Sequence, residues 1–287
     1  MKEIIIFKKE RDLGTILTDS FKFVRQEYKT IFKALLHNVA IPFLLLLAGT
    51  AYYTASLGDF NFLITGGASA FGANIFIALL FFFVTNILFI GAFYGTMMEY
   101  IKSYIDNGGN VNLEEVNSNT KHRFLSLFGA SCLISIITVA GLFFCILPGI
   151  YLGVVLMMVY PLMIFNNRST TDAINESFSF IKNEWWMSFA TMVVMYLLIY
   201  VVKLVFSIPA VIYSFTKAFT GNSTISSGDP SSMFDWVYIT LSTLSSAVGY
   251  LLLTFMAVAI AIIYFNINEK KNQTGILEEI DSIGSDI

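Results

Sequence analysis

Residues 73–98 read ANIFIALLFFFVTNILFIGAFYGTMM, 26 positions without one charged side chain. A bilayer core of about 30 Å needs about 20 apolar residues when each adds about 1.5 Å of helix. In that solvent every backbone N–H and C=O must find a partner inside the segment, so the stretch predicts a membrane-spanning helix. Working outward, five more such runs follow at about 34–56, 124–146, 150–167, 186–207 and 238–265. The turn Leu147-Pro148-Gly149 divides the third from the fourth. The fourth run is short, which leaves a half-crossing open beside a full one. Six spans make three hairpins. The expected fold is all-α, a polytopic membrane bundle with amphipathic helices on its cytoplasmic surface.

Composition agrees. Of 287 residues 56% are hydrophobic, 16% aromatic and only 13% charged, against roughly 25% charged in soluble domains. The mean hydropathy is +0.72. So much apolar surface left in water would aggregate. Soluble, disordered and nucleic-acid-binding classes are therefore excluded, and no nucleic-acid partner is expected.

Charge distribution sets the orientation. Fifteen of the 17 Lys and Arg residues fall on one side of this topology, eight of them before the first span. Only Lys203 and Lys217 fall on the other side. Cationic loops stay in the cytoplasm, so both termini are expected there. The opposite side is polar but nearly uncharged, with a Gly-rich loop at 57–72 and a Ser/Gly/Thr-rich loop at 218–235. Asn222-Ser223-Thr224 in the latter matches a glycosylation sequon, a three-residue pattern of little weight. The opening MKEIIIFKKERD has no signal-peptide h-region.

Two stretches before spans have helical periodicity. Leu13, Ile16, Leu17, Phe21, Val24 and Tyr28 form one stripe. Ile174, Phe178, Ile181 and Trp185 form the other, after the capping sequence Ser169-Thr170-Thr171-Asp172. Such helices suit the headgroup boundary, apolar stripe down and cations toward anionic lipid. They fit first a surface anchor or a bracket packed on the bundle, and second a lipid- or partner-sensing element. A shorter third helix is expected at Val111–Thr120 and a fourth at Thr274–Ile283, through Leu277, Ile280 and Ile283. The chain then reads as one integral membrane domain over 1–287. Its parts are a surface helix at 11–32, spans at about 34–167, a surface helix at 170–184, spans at about 186–265 and a tail at 266–287.

The two main surface helices repeat. Residues 17–32, LTDSFKFVRQEYKTIF, align without gaps on residues 174–189, INESFSFIKNEWWMSF. Ser20 meets Ser177, Phe21 meets Phe178, Phe23 meets Phe180, Glu27 meets Glu184, and Arg25 meets Lys182. The repeating unit is a surface helix followed by a hairpin. All copies start from the same side, unlike the inverted repeats of many transporters.

Chemistry is sparse. None of the 20 acidic residues falls at mid-membrane, where burial is costly and marks function. Glu99 sits at the inner end of the second span. Lys203 interrupts an apolar run about 27 Å of helix beyond Trp185, where it fits a snorkelling lysine or a buried functional cation. Asn86, beside Thr85, needs a partner for its amide. Helix–helix hydrogen bonding supplies one, and a polar lining for a substrate path is the alternative. His37 opens the first span and is expected to be hydrogen-bonded at the interface. Pro209 is expected to end the fifth span. Trp185, Trp186 and Trp236 suit an aromatic belt. Cys132 and Cys145 are about 20 Å apart if one helix holds both, too far for a disulfide. No metal site, cofactor or catalytic motif is expected.

Residues 147–189, LPGIYLGVVLMMVYPLMIFNNRSTTDAINESFSFIKNEWWMSF, resemble the membrane domain of glycerophosphoryl diester phosphodiesterases and related six-span bacterial proteins. The matching positions are the turn Pro148-Gly149-Ile150-Tyr151 and the helix Ala173–Phe180. The tail IYFNINEKKNQTGILEEIDSIG looks Bacteroidetes-like. The resemblance implies an all-helical bundle in a bacterial inner membrane. It implies no hydrolysis, because in that group hydrolysis belongs to a separate soluble barrel.

The expected function is non-enzymatic: a scaffold or accessory subunit that touches anionic lipid, a protein partner or a second copy of itself. Phe21, Arg25, Phe178, Lys182 and Trp185 are the contact candidates. The alternative is a transporter or lipid-handling protein with a polar path at Asn86 and Lys203.

Overall fold

The computed structural model describes residues 4–57, 73–220, 234–275 and 277. Most of the two polar loops, the sequon at Asn222, and Ile280 and Ile283 of the expected tail helix lie outside these residues. Among the described residues the main helices are, in order, α1 (Leu13–Ser56), α2 (Ala73–Asp106), α3 (Leu113–Phe144), α4 (Ile146–Leu156), α5 (Val159–Phe165), α6 (Thr170–Ile181), α7 (Trp185–Thr220) and α8 (Trp236–Asn272). There is no strand among the described residues. Six helical segments, α4 and α5 counting as one, are long and apolar enough to cross a membrane. The fold is an all-α polytopic bundle, and the chain is a multi-pass membrane protein.

Several boundaries differ from the sequence reading. The surface helix at 11–32 and the first span form one uninterrupted helix, α1, of 44 residues. No glycine or proline stands between Gly14 and Pro42 to break it. Val111–Thr120 likewise merges into α3, whose N-cap is Asn112, with its side chain accepting from the N–H groups of Glu114 and Glu115. Pro209 does not end the fifth span. It lies inside α7, which continues to Thr220.

The turn between α3 and α4 falls at Cys145, not at Leu147-Pro148-Gly149. Pro148 sits in the first turn of α4, where the missing N–H is not needed. Gly149 instead permits close approach: a methyl group at Gly141 would come within 3.2 Å of the Gly149 Cα. The fourth segment is interrupted at Met157-Met158. Pro161 explains the interruption, since it cannot donate to the carbonyl of Met157 and its ring clashes there.

The chain divides into two compact units. One comprises Met1–Val39, Ile90–Tyr196 and Thr254–Ile287, the other Ala40–Phe89 and Leu197–Leu253. The core of the first is the stretch Met256–Ile267 of α8, in which every residue is buried. Aromatic rings surround it: Phe21 lies 4.8 Å from Phe255, Phe7 5.8 Å from Phe265, Phe165 4.8 Å from Phe265 and Phe180 5.1 Å from Tyr264. In the same unit α2 meets α3 through Gly91 and Gly95. A methyl at Gly91 would come 3.0 Å from the Leu127 carbonyl oxygen, and Leu127 fills the space above Gly95. This is a small-xxx-small contact, which lets membrane helices approach closely.

The second unit is stitched by rings and small residues. Phe43 and Tyr250 both pack on Phe89, at 5.9 and 5.4 Å, and Tyr53 stacks on Phe82 at 5.4 Å. The carbon stem of Lys203 lies over Gly249, where a methyl would meet its Cδ at 3.2 Å.

Candidate functional site

The sequence-derived stripes coincide with the observed core only in part: Ile16, Val24 and Ile181 are buried as expected. On α1 the inward face carries Ile16, Ser20, Phe23, Val24, Glu27 and Ile31. Phe21 and Tyr28, assigned to the stripe, are exposed. On α6 the inward residues are Ala173, Ser177, Phe180 and Ile181, and Phe178 is exposed. The matched pairs of the two helices behave alike: Ser20 and Ser177 are fully buried, while Phe21 and Phe178 keep 39% and 36% of their surface exposed. Each serine returns its hydroxyl proton to its own helix, Ser20 to Ile16 and Ser177 to Ile174, both at 2.7 Å. A serine satisfied in this way can sit in an apolar core at little cost.

The matched acids also have corresponding roles. The Tyr100 hydroxyl of α2 donates to Glu27 at 2.9 Å, and Lys270 of α8 pairs with Glu184 at 2.8 Å. Lys271 caps the C-terminus of α6, donating to the carbonyls of Ser179 and Phe180 with its charge 4.9 Å from the Phe180 ring centre. A cation there meets the negative end of the helix dipole.

What remains outward on α1 is an alternation of rings and cations: Phe21, Arg25, Tyr28, Lys29, Phe32 and Lys33 are exposed. Phe21 and Arg25 border a shallow groove of about 560 Å³ with Thr18, Lys22 and Gln26. On the second helix Lys182 is exposed just past the end of α6. Trp185 is held between Tyr151 and Phe189, stacked at 5.6 and 5.0 Å. Its indole nitrogen is buried without a hydrogen-bond partner. Trp186 beside it is exposed.

Asn86 and Lys203 belong to the second unit. The side chains of Asn86 and Thr50 face the Tyr250 hydroxyl between helices, and the Thr50 hydroxyl donates to the Leu46 carbonyl at 2.8 Å. Lys203 is exposed from the protein rather than enclosed by it. His37 is exposed as well, and its neighbour Asn38 makes the interhelical bond, donating to Asn117 at 2.8 Å.

Four ionic groups escaped notice as structural elements. Arg11 is buried, and its guanidinium meets Asp19 at 2.8 Å and donates to the carbonyls of Ile6, Phe7 and Lys9. Glu99 is buried and lies 3.3 Å from the Arg123 Nε. Arg123 also donates to the Met163 carbonyl and to Asn167, tying α3 to the end of α5. Glu269 accepts the Gly275 N–H at 2.9 Å. The spacing Gly91-x-x-x-Gly95 was the available sequence signal for the α2–α3 contact. Nothing local announces Arg11, whose partners are mostly carbonyls.

No family model, curated protein or solved structure matches this chain.

Proposed function

We propose that this chain is a non-enzymatic membrane scaffold or accessory subunit whose surface helices contact anionic lipid or a protein partner. One observation carries the reading. The face that α1 leaves outward combines exposed aromatic rings with Arg25, Lys29 and Lys33, while the buried Arg11 and Glu27 have partners inside the fold. Rings at headgroup level with cations between them suit an anionic membrane surface. The imbalance of Lys and Arg supports cytoplasmic termini and the inner membrane of a bacterium. The paired burial of the two surface helices supports an internal repeat. The likeness to the phosphodiesterase membrane domain belongs to the same proposal and brings no activity with it.

The transport alternative has less behind it. Asn86 faces Tyr250, Thr85 returns its hydroxyl to the Phe81 carbonyl, and Lys203 lies along Gly249. None of the three supports a polar path.

The test is extraction in a bilayer-preserving polymer, followed by mass spectrometry of co-purifying lipid and protein. Wild type is expected to carry enriched anionic lipid or a stoichiometric partner. The variant Arg25→Glu/Lys29→Glu/Lys33→Glu is expected to lose it. A wild type with neither enrichment sinks the proposal.

A further inference from the structure

We propose that the α3–α4 hairpin is a one-leaflet membrane wedge. Its tip would contact the acyl chains of the leaflet on the Trp185 side and stop short of the opposite surface. The inference does not depend on what the surface helices bind.

Trp185 marks where α7 enters lipid. Before it come Lys182 and Glu184, the latter paired with Lys270. After it comes the apolar run of the fifth span. Six uniform crossings would put the α3–α4 turn on the far membrane surface, about 30 Å from that level. The contact between Tyr151 and Trp185 contradicts this. Their rings are stacked with centroids 5.6 Å apart and 29° between planes. Cys145, at the turn, is only six residues from Tyr151, about 9 Å of helix. The tip therefore ends within roughly one leaflet, about 15 Å, of the Trp185 level.

Two further features agree. The interruption at Met157-Met158 frees α4 from continuing the line of α5. The tip residues face away from the protein: Phe143, Phe144, Ile146 and Leu147 are 87%, 85%, 68% and 75% exposed. Four large apolar side chains at a tight turn would be unfavourable in water and favourable among acyl chains. A body inserted into one leaflet enlarges that leaflet alone. The hairpin thus suits a protein that adds lateral pressure to, or responds to, one side of the bilayer.

The chain has two cysteines, Cys132 and Cys145, which makes the test direct. In Cys132→Ser, Cys145 is the sole thiol, and it is not covered by protein. Membrane-impermeant maleimide is applied to sealed membranes from each side. Lys182→Cys and Phe219→Cys, in a background with both native cysteines replaced by Ser, report the two surfaces. The expected result is labelling of these controls from opposite sides and of Cys145 from neither until detergent is added. A permeant bimane on Cys145 should then be quenched by nitroxides on the acyl chain more than by headgroup nitroxides. Labelling of Cys145 from the Phe219→Cys side overturns the proposal in favour of a full crossing. Labelling from the Lys182→Cys side overturns it in favour of a hairpin outside the lipid. Phe144→Cys, in the same cysteine-free background, repeats the measurement one residue away.

Discussion

Arg11 and Asp19 meet at 2.8 Å across the start of α1, and around that pair the segment before the helix is fixed. The guanidinium also accepts no proton and gives several, to the carbonyls of Ile6, Phe7 and Lys9. A planar fork of donors can satisfy so many oxygens at once, and a lysine ammonium cannot. Arg11→Lys is therefore expected to cost about 2 kcal/mol or more, because buried acceptors are left unmet. Hydrogen exchange should show the amides of Ile5 and Arg11 losing protection together. Unchanged protection would mean that the aromatic contacts of Phe7 alone hold the segment.

The pair Glu99–Arg123 yields a second expectation. Glu99 is almost wholly buried and faces the Arg123 guanidinium at 3.3 Å. Arg123→Ala removes the ion-pair partner of a buried carboxylate, leaving it the Asn119 amide as donor, and should destabilise by about 3 kcal/mol. Adding Glu99→Gln should recover part of that loss. A double variant no better than the single one would argue that Arg123 acts through Met163 and Asn167.

At Gly91 the neighbouring backbone cannot retreat as a side chain can. Gly91→Leu should separate α2 from α3 at a cost of about 1–3 kcal/mol. Thermal unfolding in detergent, read beside Gly129→Leu, tests it, since nothing lies within 4 Å of a methyl at Gly129. Equal losses at both sites would remove the close-approach argument.

Within the second unit, Asn86→Leu and Tyr250→Phe remove the two polar groups that face each other between helices. A double-mutant cycle should give a coupling of about 0.6 kcal/mol, typical of interhelical hydrogen bonds in membranes. Zero coupling would return Asn86 to the list of unexplained polar residues.

Asp235, just before α8, accepts from the Lys217 ammonium at 2.7 Å, from the Tyr213 hydroxyl and from the Tyr238 N–H at 3.0 Å, a clasp with a pH signature. Burial tends to raise its pKa, but Lys217, Tyr213 and the Tyr238 N–H outweigh that and hold it down to about 2. A carboxylate depressed below its usual value of about 3.9 stabilises the fold above that value and loses the contribution as pH falls through 2. The pair is partly exposed, so the loss should be about 0.2–1 kcal/mol. Asp235→Asn should remove this part of the acid dependence, and an unaltered profile between pH 4 and 2 would exclude the clasp as its source.

Hydropathy alone located all the apolar segments, because lipid demands long uninterrupted runs. It told the inward from the outward side of a helix only in part. In water an exposed Phe is unfavourable and an apolar stripe marks the core. Beside lipid, Phe21 and Phe178 can face outward at no such penalty, whereas Ser20 and Ser177 face inward because each hydroxyl is satisfied by its own helix. Helix ends were misread at Pro209 because helices embedded in lipid tolerate proline. The capping sequence at Ser169 was legible because its chemistry is local: the Ser169 hydroxyl accepts the Asp172 N–H and α6 starts there. The Tyr151–Trp185 contact was not legible, since it joins residues that the simplest topology sends to opposite surfaces.

The bond from the Arg11 N–H to Asn266 spans 255 residues of sequence at 2.7 Å. A ribosome adding about 5–20 residues per second needs roughly 13–50 s between synthesising the donor and its acceptor. Through that interval the segment around Arg11 has its partners on α1 and α2 but lacks the one that α8 supplies. Chains stalled before Asn266 would leave the Arg11 N–H without its acceptor, a local defect open to quality control.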